Sequence, residues 1–172
     1  NYTDPMDLMK QYGTDAFRLY LFRSNAIIMN DLSFDENGIK SQVQQVLLPL
    51  YNCAKFFNSY VLLDKFNPEE MNLPKSDNEL DKWILAKLYD TENKISLNMK
   101  DYQIDNYVEP IIDLIDGFSN WYIRRSRRRF WSLEQTQDKK NAYETTYYVL
   151  LNICKMLAPI APVISESLYK HF

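Results

Sequence analysis

The sequence predicts an all-α chain: an antiparallel helix bundle with a small α+β segment at its N-terminal end. Three observations predict it. Apolar residues recur at three- and four-residue steps through most of the 172 residues, the period of one buried helix face. Only 3 glycines occur, too few for a turn-rich β architecture or for glycine-rich phosphate loops. Hydrophobic residues at 46% and 13 tyrosines supply large side chains for a single core, which this length can bury without a second one.

Asp4-Pro5 reads as a helix start, with Asp4 as N-cap and Pro5 at the first helical position. Tyr12-Gly13 supplies a glycine stop and Thr14 a fresh cap. A second helix runs from about Asp15 to Ser24. Leu32-Ser33-Phe34 alternates apolar and polar residues before the turn Asp35-Glu36-Asn37-Gly38, which predicts a short strand. From Ile39 to about Leu63 one long helix is marked by Val43, Val46, Leu47, Leu50, Ala54, Phe57 and Val61. Pro49 inside it lacks the N–H owed to residue 45 and predicts a kink. Residues 64–78, with Pro68 and Pro74, read as a linker.

Helical patterning resumes with Leu80, Trp83, Ile84, Leu88, Ile95 and Met99, capped by Ser76 or Asp77, and breaks at Lys100-Asp101. The next helix carries a run of arginines. Another runs from about Lys139 to Leu157 and ends at Ala158-Pro159-Ile160-Ala161-Pro162, whose prolines stop it. A last helix holds Val163, Ser167, Leu168 and Phe172. The expected division is residues 1–40 as the small segment and 41–172 as the bundle.

Several chemistries are excluded by residue supply. The single histidine, His171, sits at a fraying end, which removes histidine acid–base catalysis and Ser-His triads. Cys53 and Cys154 are far apart, form no C-x-x-C pair and read as reduced core thiols. No metal site and no catalytic residue is expected. No charged-then-apolar leader opens the chain and no apolar run approaches spanning length, so a cytoplasmic protein without a membrane partner is expected. The chain opens on Asn1 rather than methionine, and is expected to be a piece of a longer protein.

Against this background the stretch from Asn120 to Trp131, NWYIRRSRRRFW, stands apart. It concentrates guanidinium groups in a chain whose formal net charge is -3. At about 100° per residue, Val108, Ile111, Ile115, Phe118, Tyr122, Ser126 and Phe130 form one core stripe. Trp121, Arg124 and Arg128 point away from it, Arg125 and Arg127 flank, and Arg129 falls near its edge, where partial burial against a carboxylate is expected. Arginine suits phosphate because its planar fork donates two parallel hydrogen bonds and stays charged. It also stacks on bases, as tryptophan does. Three uses fit: RNA binding, an ion-pair network with neighbouring helices, or docking of an acidic protein partner.

Several separate stretches carry a resemblance. Asn1-Tyr2-Thr3-Asp4-Pro5, then Tyr12-Gly13-Thr14-Asp15-Ala16-Phe17-Arg18, resembles the segment after the KMSKS loop of class I aminoacyl-tRNA synthetases. Leu47-Leu48-Pro49-Leu50-Tyr51-Asn52 and Leu80-Asp81-Lys82-Trp83-Ile84-Leu85 are similar to helices that follow it. Asn120-Trp121-Tyr122-Ile123-Arg124 with Arg127-Arg128-Arg129 resembles the isoleucyl-tRNA synthetases, notably the eukaryote-like type. Met156-Leu157-Ala158-Pro159-Ile160-Ala161-Pro162 and Glu166-Ser167-Leu168-Tyr169 look like the family's ending.

The resemblance implies a stem-contact segment (1–40) and an anticodon-binding helical bundle (41–172). The catalytic and editing domains lie elsewhere, so this piece alone is expected to be inactive. The implied partners are a tRNA for isoleucine and the parent's catalytic domain in cis, in a monomer. ATP and Mg belong to the parent, and no cofactor to this piece. Carried over residue by residue, the RNA-binding candidates are Arg124, Arg125, Arg127, Arg128, Arg129, Trp121, Trp131, Asn52 and Lys55. Tyr12, Asp15 and Arg18 are expected to fix the small segment to the bundle. The equivalent domain of a valyl- or leucyl-tRNA synthetase, or a helical protein-interaction module, are the alternatives.

Overall fold

The computed structural model describes residues 4–32, 34–67 and 74–172. Nine α-helices are described among them. Helix α1 (Pro5–Tyr12) starts as the sequence predicts, with Met6 N donating to Asp4 Oδ1 at 2.8 Å and Pro5 in its first turn. Gly13 ends it at φ 89°, a left-handed value that Cβ-bearing residues rarely adopt. The same glycine, without a side-chain bond, precedes α2 (Thr14–Phe22). Thr14 is therefore the first helical residue and not the cap.

No strand forms among the described residues, which corrects the α+β expectation for the N-terminal segment. Ser33 lies outside the described residues. Leu32 and Phe34 both pack on a small cluster of Leu8, Ala16, Tyr20 and Ile39. Their alternation reflects two side chains reaching one patch. A period of two without a second strand has nothing to pair with.

Helix α3 (Glu36–Gln42) passes through a π segment (Val43–Leu47) into α4 (Leu48–Asp64). The wide turn immediately precedes Pro49, so the proline is absorbed by a local π bulge within a continuous helical run. Beyond α4 the linker reading holds for residues 65–67 and 74–78, whereas Pro68 lies outside the described residues. Asn78, not Ser76 or Asp77, caps α5 (Glu79–Lys100) by accepting from Leu80 N at 3.0 Å. Ser76 instead accepts from Asn78 N and donates to Asp81.

The arginine-bearing run is helix α6 (Val108–Asp116), a second π segment (Gly117–Ile123) and helix α7 (Arg124–Trp131). Helix α8 (Gln137–Leu157) is capped by Thr136, and α9 (Pro162–Tyr169) ends before Phe172. Phe172 nonetheless packs on Phe57.

Helices α4 to α8 share one large core around Phe57, Phe118, Tyr122, Phe130 and Tyr143. Burying each such ring contributes about 1.5–3 kcal/mol. The N-terminal helices join this core through Leu19 and Phe22 of α2 and through polar contacts of Asp15, Arg18 and Arg23, the last donating to Glu109 of α6 at 2.6 Å. The Asp15 carboxylate accepts from Val163 N at 3.3 Å and Ile164 N at 2.6 Å, capping α9. Arg18 donates to the carbonyls of Ile160 (2.6 Å) and Pro159 (2.9 Å). Tyr12 donates to Glu36 within its own segment. Cys53 and Cys154 are buried free thiols. Burial pushes the Cys53 thiol up to about 11, against a hydrogen bond from Ser119 and the Arg127 charge.

Candidate nucleic-acid interface

Every residue of the predicted stripe on the arginine helix is buried, from Val108 through Phe130. Fixing that face inward forces the other outward. Arg124, Arg125, Arg127 and Arg128 are exposed, as are Trp121 and Trp131 at 50% and 57%. Neighbours at three and four residues make the four arginines one contiguous patch. The guanidinium of Arg125 lies 4.5 Å from the Trp121 ring centroid, a cation–π arrangement that holds its flat face in place.

Among the described residues no carboxylate lies within ion-pair distance of these four arginines. Like charges at such spacing cost a helix about 0.2–0.5 kcal/mol per pair. The end of the helix dipole offsets this only in the last turn. Nothing in the described fold neutralises the patch.

Arg129 is different: its donors are engaged within the fold. Its side chain is 11% exposed and its fork closes on fully buried Asp81 at 2.6 and 2.7 Å. It also donates to the Asp138 carboxylate and backbone carbonyl at 2.8 Å each. Asp81 further accepts from Tyr122 Oη at 2.8 Å and Ser76 Oγ at 2.6 Å. Burial, then the Asp81 charge, push the Tyr122 phenol up; burial opposes the Arg129 charge, but the carboxylate outweighs it. Arg129 thus anchors α7 to α5 and α8 with donors that a phosphate would otherwise use.

The two candidates on α4 separate as well. Phe56 and Tyr60 pack on Phe130, so that side of α4 meets α7. Asn52 is exposed one turn before Phe56. Lys55 lines a different groove, with Tyr51, Asn58 and Leu62 of α4 facing Ser167 and His171. It does not join the arginine patch.

Two residues absent from the candidate list do border it. A Cβ at Gly117 would come within 2.9 Å of Lys87 Cε and 3.3 Å of Trp83 Cη2. The glycine therefore seats Trp83 and Lys87 of α5 against the arginine helix, one turn before Trp121. A glycine inside a helix costs about 1 kcal/mol relative to alanine, so the position gives up helix propensity for this approach. The i, i+4 spacing of Trp83 and Lys87 opposite the run's one glycine was the available signal. On the other side of Gly117 the outward face turns acidic, at Glu109, Asp113 and Asp116.

A family model described as the anticodon-binding domain of tRNA ligase matches residues 81–172. An isoleucine–tRNA ligase of Chlamydia pneumoniae is 42% identical over 170 residues, 99% of this chain and 16% of the relative. One from Protochlamydia amoebophila is 40% identical over 171 residues, again 99% and 16%. The chain thus spans about 16% of the length of these relatives. A LeuRS of Agrobacterium radiobacter, solved as a ternary complex with tRNA and LeuAMS, superposes on 98% of this chain and 19% of its own. The TM-score is 0.62 at 18% identity, a likeness of fold.

Proposed function

We propose, from the premise that this chain belongs to the anticodon-binding domain family of tRNA ligases, that it recognises the anticodon loop of a tRNA for isoleucine as part of an isoleucine–tRNA ligase. The observation that carries this reading is the unneutralised patch of Arg124, Arg125, Arg127 and Arg128 on the outward face of α7. Outward arginines clamp phosphates, and Trp121 and Trp131 offer faces on which unstacked bases can rest. Asn52 is a flanking contact.

The parent enzyme uses ATP and Mg to attach isoleucine, in a catalytic domain joined in cis. No residue here takes part in that chemistry. Residues 1–40 are the stem-contact segment and 41–172 the anticodon-binding bundle; the small cluster of Leu8, Ala16, Tyr20 and Ile39 supports the division, while Leu19 belongs to the large core. The enzyme acts in the cytoplasm as a monomer. Assignment to the eukaryote-like type rests on residues 120–129 alone, since the relatives named above are bacterial.

The test is binding of labelled tRNA across a salt series. Arg128→Ala is expected to lower the log–log salt slope by about 0.7–0.9, the amount lost with one phosphate contact. Changing the anticodon should weaken binding more than changing another loop. Equal losses would remove anticodon reading, and competition by an acidic peptide but not by tRNA would favour a protein partner.

A further inference from the structure

We propose that the RNA-binding face crosses the seam between helices onto α5, where Trp83 and Lys87, seated against Gly117, supply a stacking surface for an unpaired base and a phosphate contact. The inference rests on the RNA reading of the arginine patch.

Three observations carry it. The first is the cradle itself: with no Cβ at Gly117, the Lys87 stem and the Trp83 ring approach the arginine helix closely. Trp121 follows Gly117 by one turn and holds Arg125 over its ring. Trp83, Trp121 and Arg125 therefore follow one another along the seam, flat groups of the kind on which bases stack.

The second is charge. Lys87 has no carboxylate within ion-pair distance among the described residues, whereas Lys82 and Lys94 on the same helix pair with Glu79 and Asp90. Its methylene stem lies against Gly117 and the side chain is half-buried; a stem packed in this way keeps its charged head toward water.

The third is the boundary. Outward residues on α6 before Gly117 include Asp113 and Asp116, which repel a polyanion, whereas Glu109 is paired with Arg23 at the C-cap of α2 at 2.6 Å. Arg124, Arg125 and Arg128 lie after it. A strand held by the arginines is kept off α6 and leads across Gly117 to α5, where Trp83 and Lys87 wait. Arg129 assists by fixing α7 to Asp81, two residues from Trp83.

The experiment compares variants of the chain in the same salt series, with circular dichroism to confirm folding. Lys87→Gln is expected to lower the slope by about 0.7–0.9 and Lys87→Arg to restore it. Trp83→Ala is expected to weaken binding about 5- to 150-fold, the range for losing one base–aromatic stack. Trp83→Leu, which keeps apolar packing on Gly117 without the ring, should lose as much, and it replaces Trp83→Ala if that variant unfolds. Unchanged slope and affinity in these variants, beside a lowered slope for Arg128→Ala, would overturn the proposal and leave the arginine reading standing. No change in Arg128→Ala either would overturn both.

Discussion

Removing one partner of the Asp81–Arg129 pair should destabilise the chain far more than removing any outward arginine. Asp81 is fully buried and the Arg129 side chain is 11% exposed, with both fork contacts at or below 2.7 Å. Breaking such a pair strands a charge in the interior and costs about 3–5 kcal/mol. Asp81→Ala leaves Arg129 with half-exposed Asp138, which places it near the lower figure. Arg129→Ala leaves a buried carboxylate with only the Tyr122 and Ser76 hydroxyls, which places it near the upper. For a domain of this size each kcal/mol lowers Tm by about 2–4 °C, so losses of about 6–20 °C are expected. Arg129→Lys keeps the charge but not the fork and should fall between Arg129→Ala and the unaltered chain. Urea unfolding followed by circular dichroism reads all three. An Arg129→Ala cost below about 1 kcal/mol, with RNA binding weakened as in Arg128→Ala, would refute the anchoring role and return Arg129 to the interface.

Stability should also fall in acid through Asp64. Its partial burial opposes ionisation, but bonds from Lys139 and Tyr143 and the Lys139 charge hold its carboxyl below the usual value. Its contribution is therefore present above the unfolded carboxylate pKa of about 3.9 and lost as pH falls through the lower folded value. Asp64→Asn should flatten that limb of a stability–pH curve while lowering stability at pH 7, because Lys139, 2% exposed, loses its carboxylate partner and keeps the Ser132 carbonyl. Gly38→Ala should cost about 1–3 kcal/mol by overpacking, since a methyl there overlaps the Tyr20 ring. Chemical denaturation measures it, and a stabilising effect from better helix propensity would contradict that geometry.

The arginine helix was legible because one periodicity decides two faces. Seven apolar and small residues at helical steps place the remaining side chains outward, and Arg129 at the stripe's edge followed from the same projection. Local rules did less well where partners are distant. Thr14 has a capping hydroxyl, yet Gly13 takes the position because the chain reverses there at a positive φ. Leu32 and Phe34 alternate like a strand, but strand formation needs a second strand that no local pattern reveals. Lys55 follows Asn52 by three residues on one helix, and only the packing of α9 against α4 separates their surroundings. The approach of Trp83 and Lys87 depends on which helix lies across Gly117, which is information about tertiary contact.

The contacts of Asp15 and Arg18 bear on the order in which the chain can become native during its synthesis. Their partners lie 141 to 149 positions downstream, a delay of roughly 7–30 s at ribosomal speeds of about 5–20 residues per second. Until then the α2 helix emerges with its carboxylate and guanidinium still hydrated and its apolar side provisional. The start of α9 thus completes α2, so within this chain the opening helices wait through the synthesis of nearly all the residues that follow them for their final polar contacts.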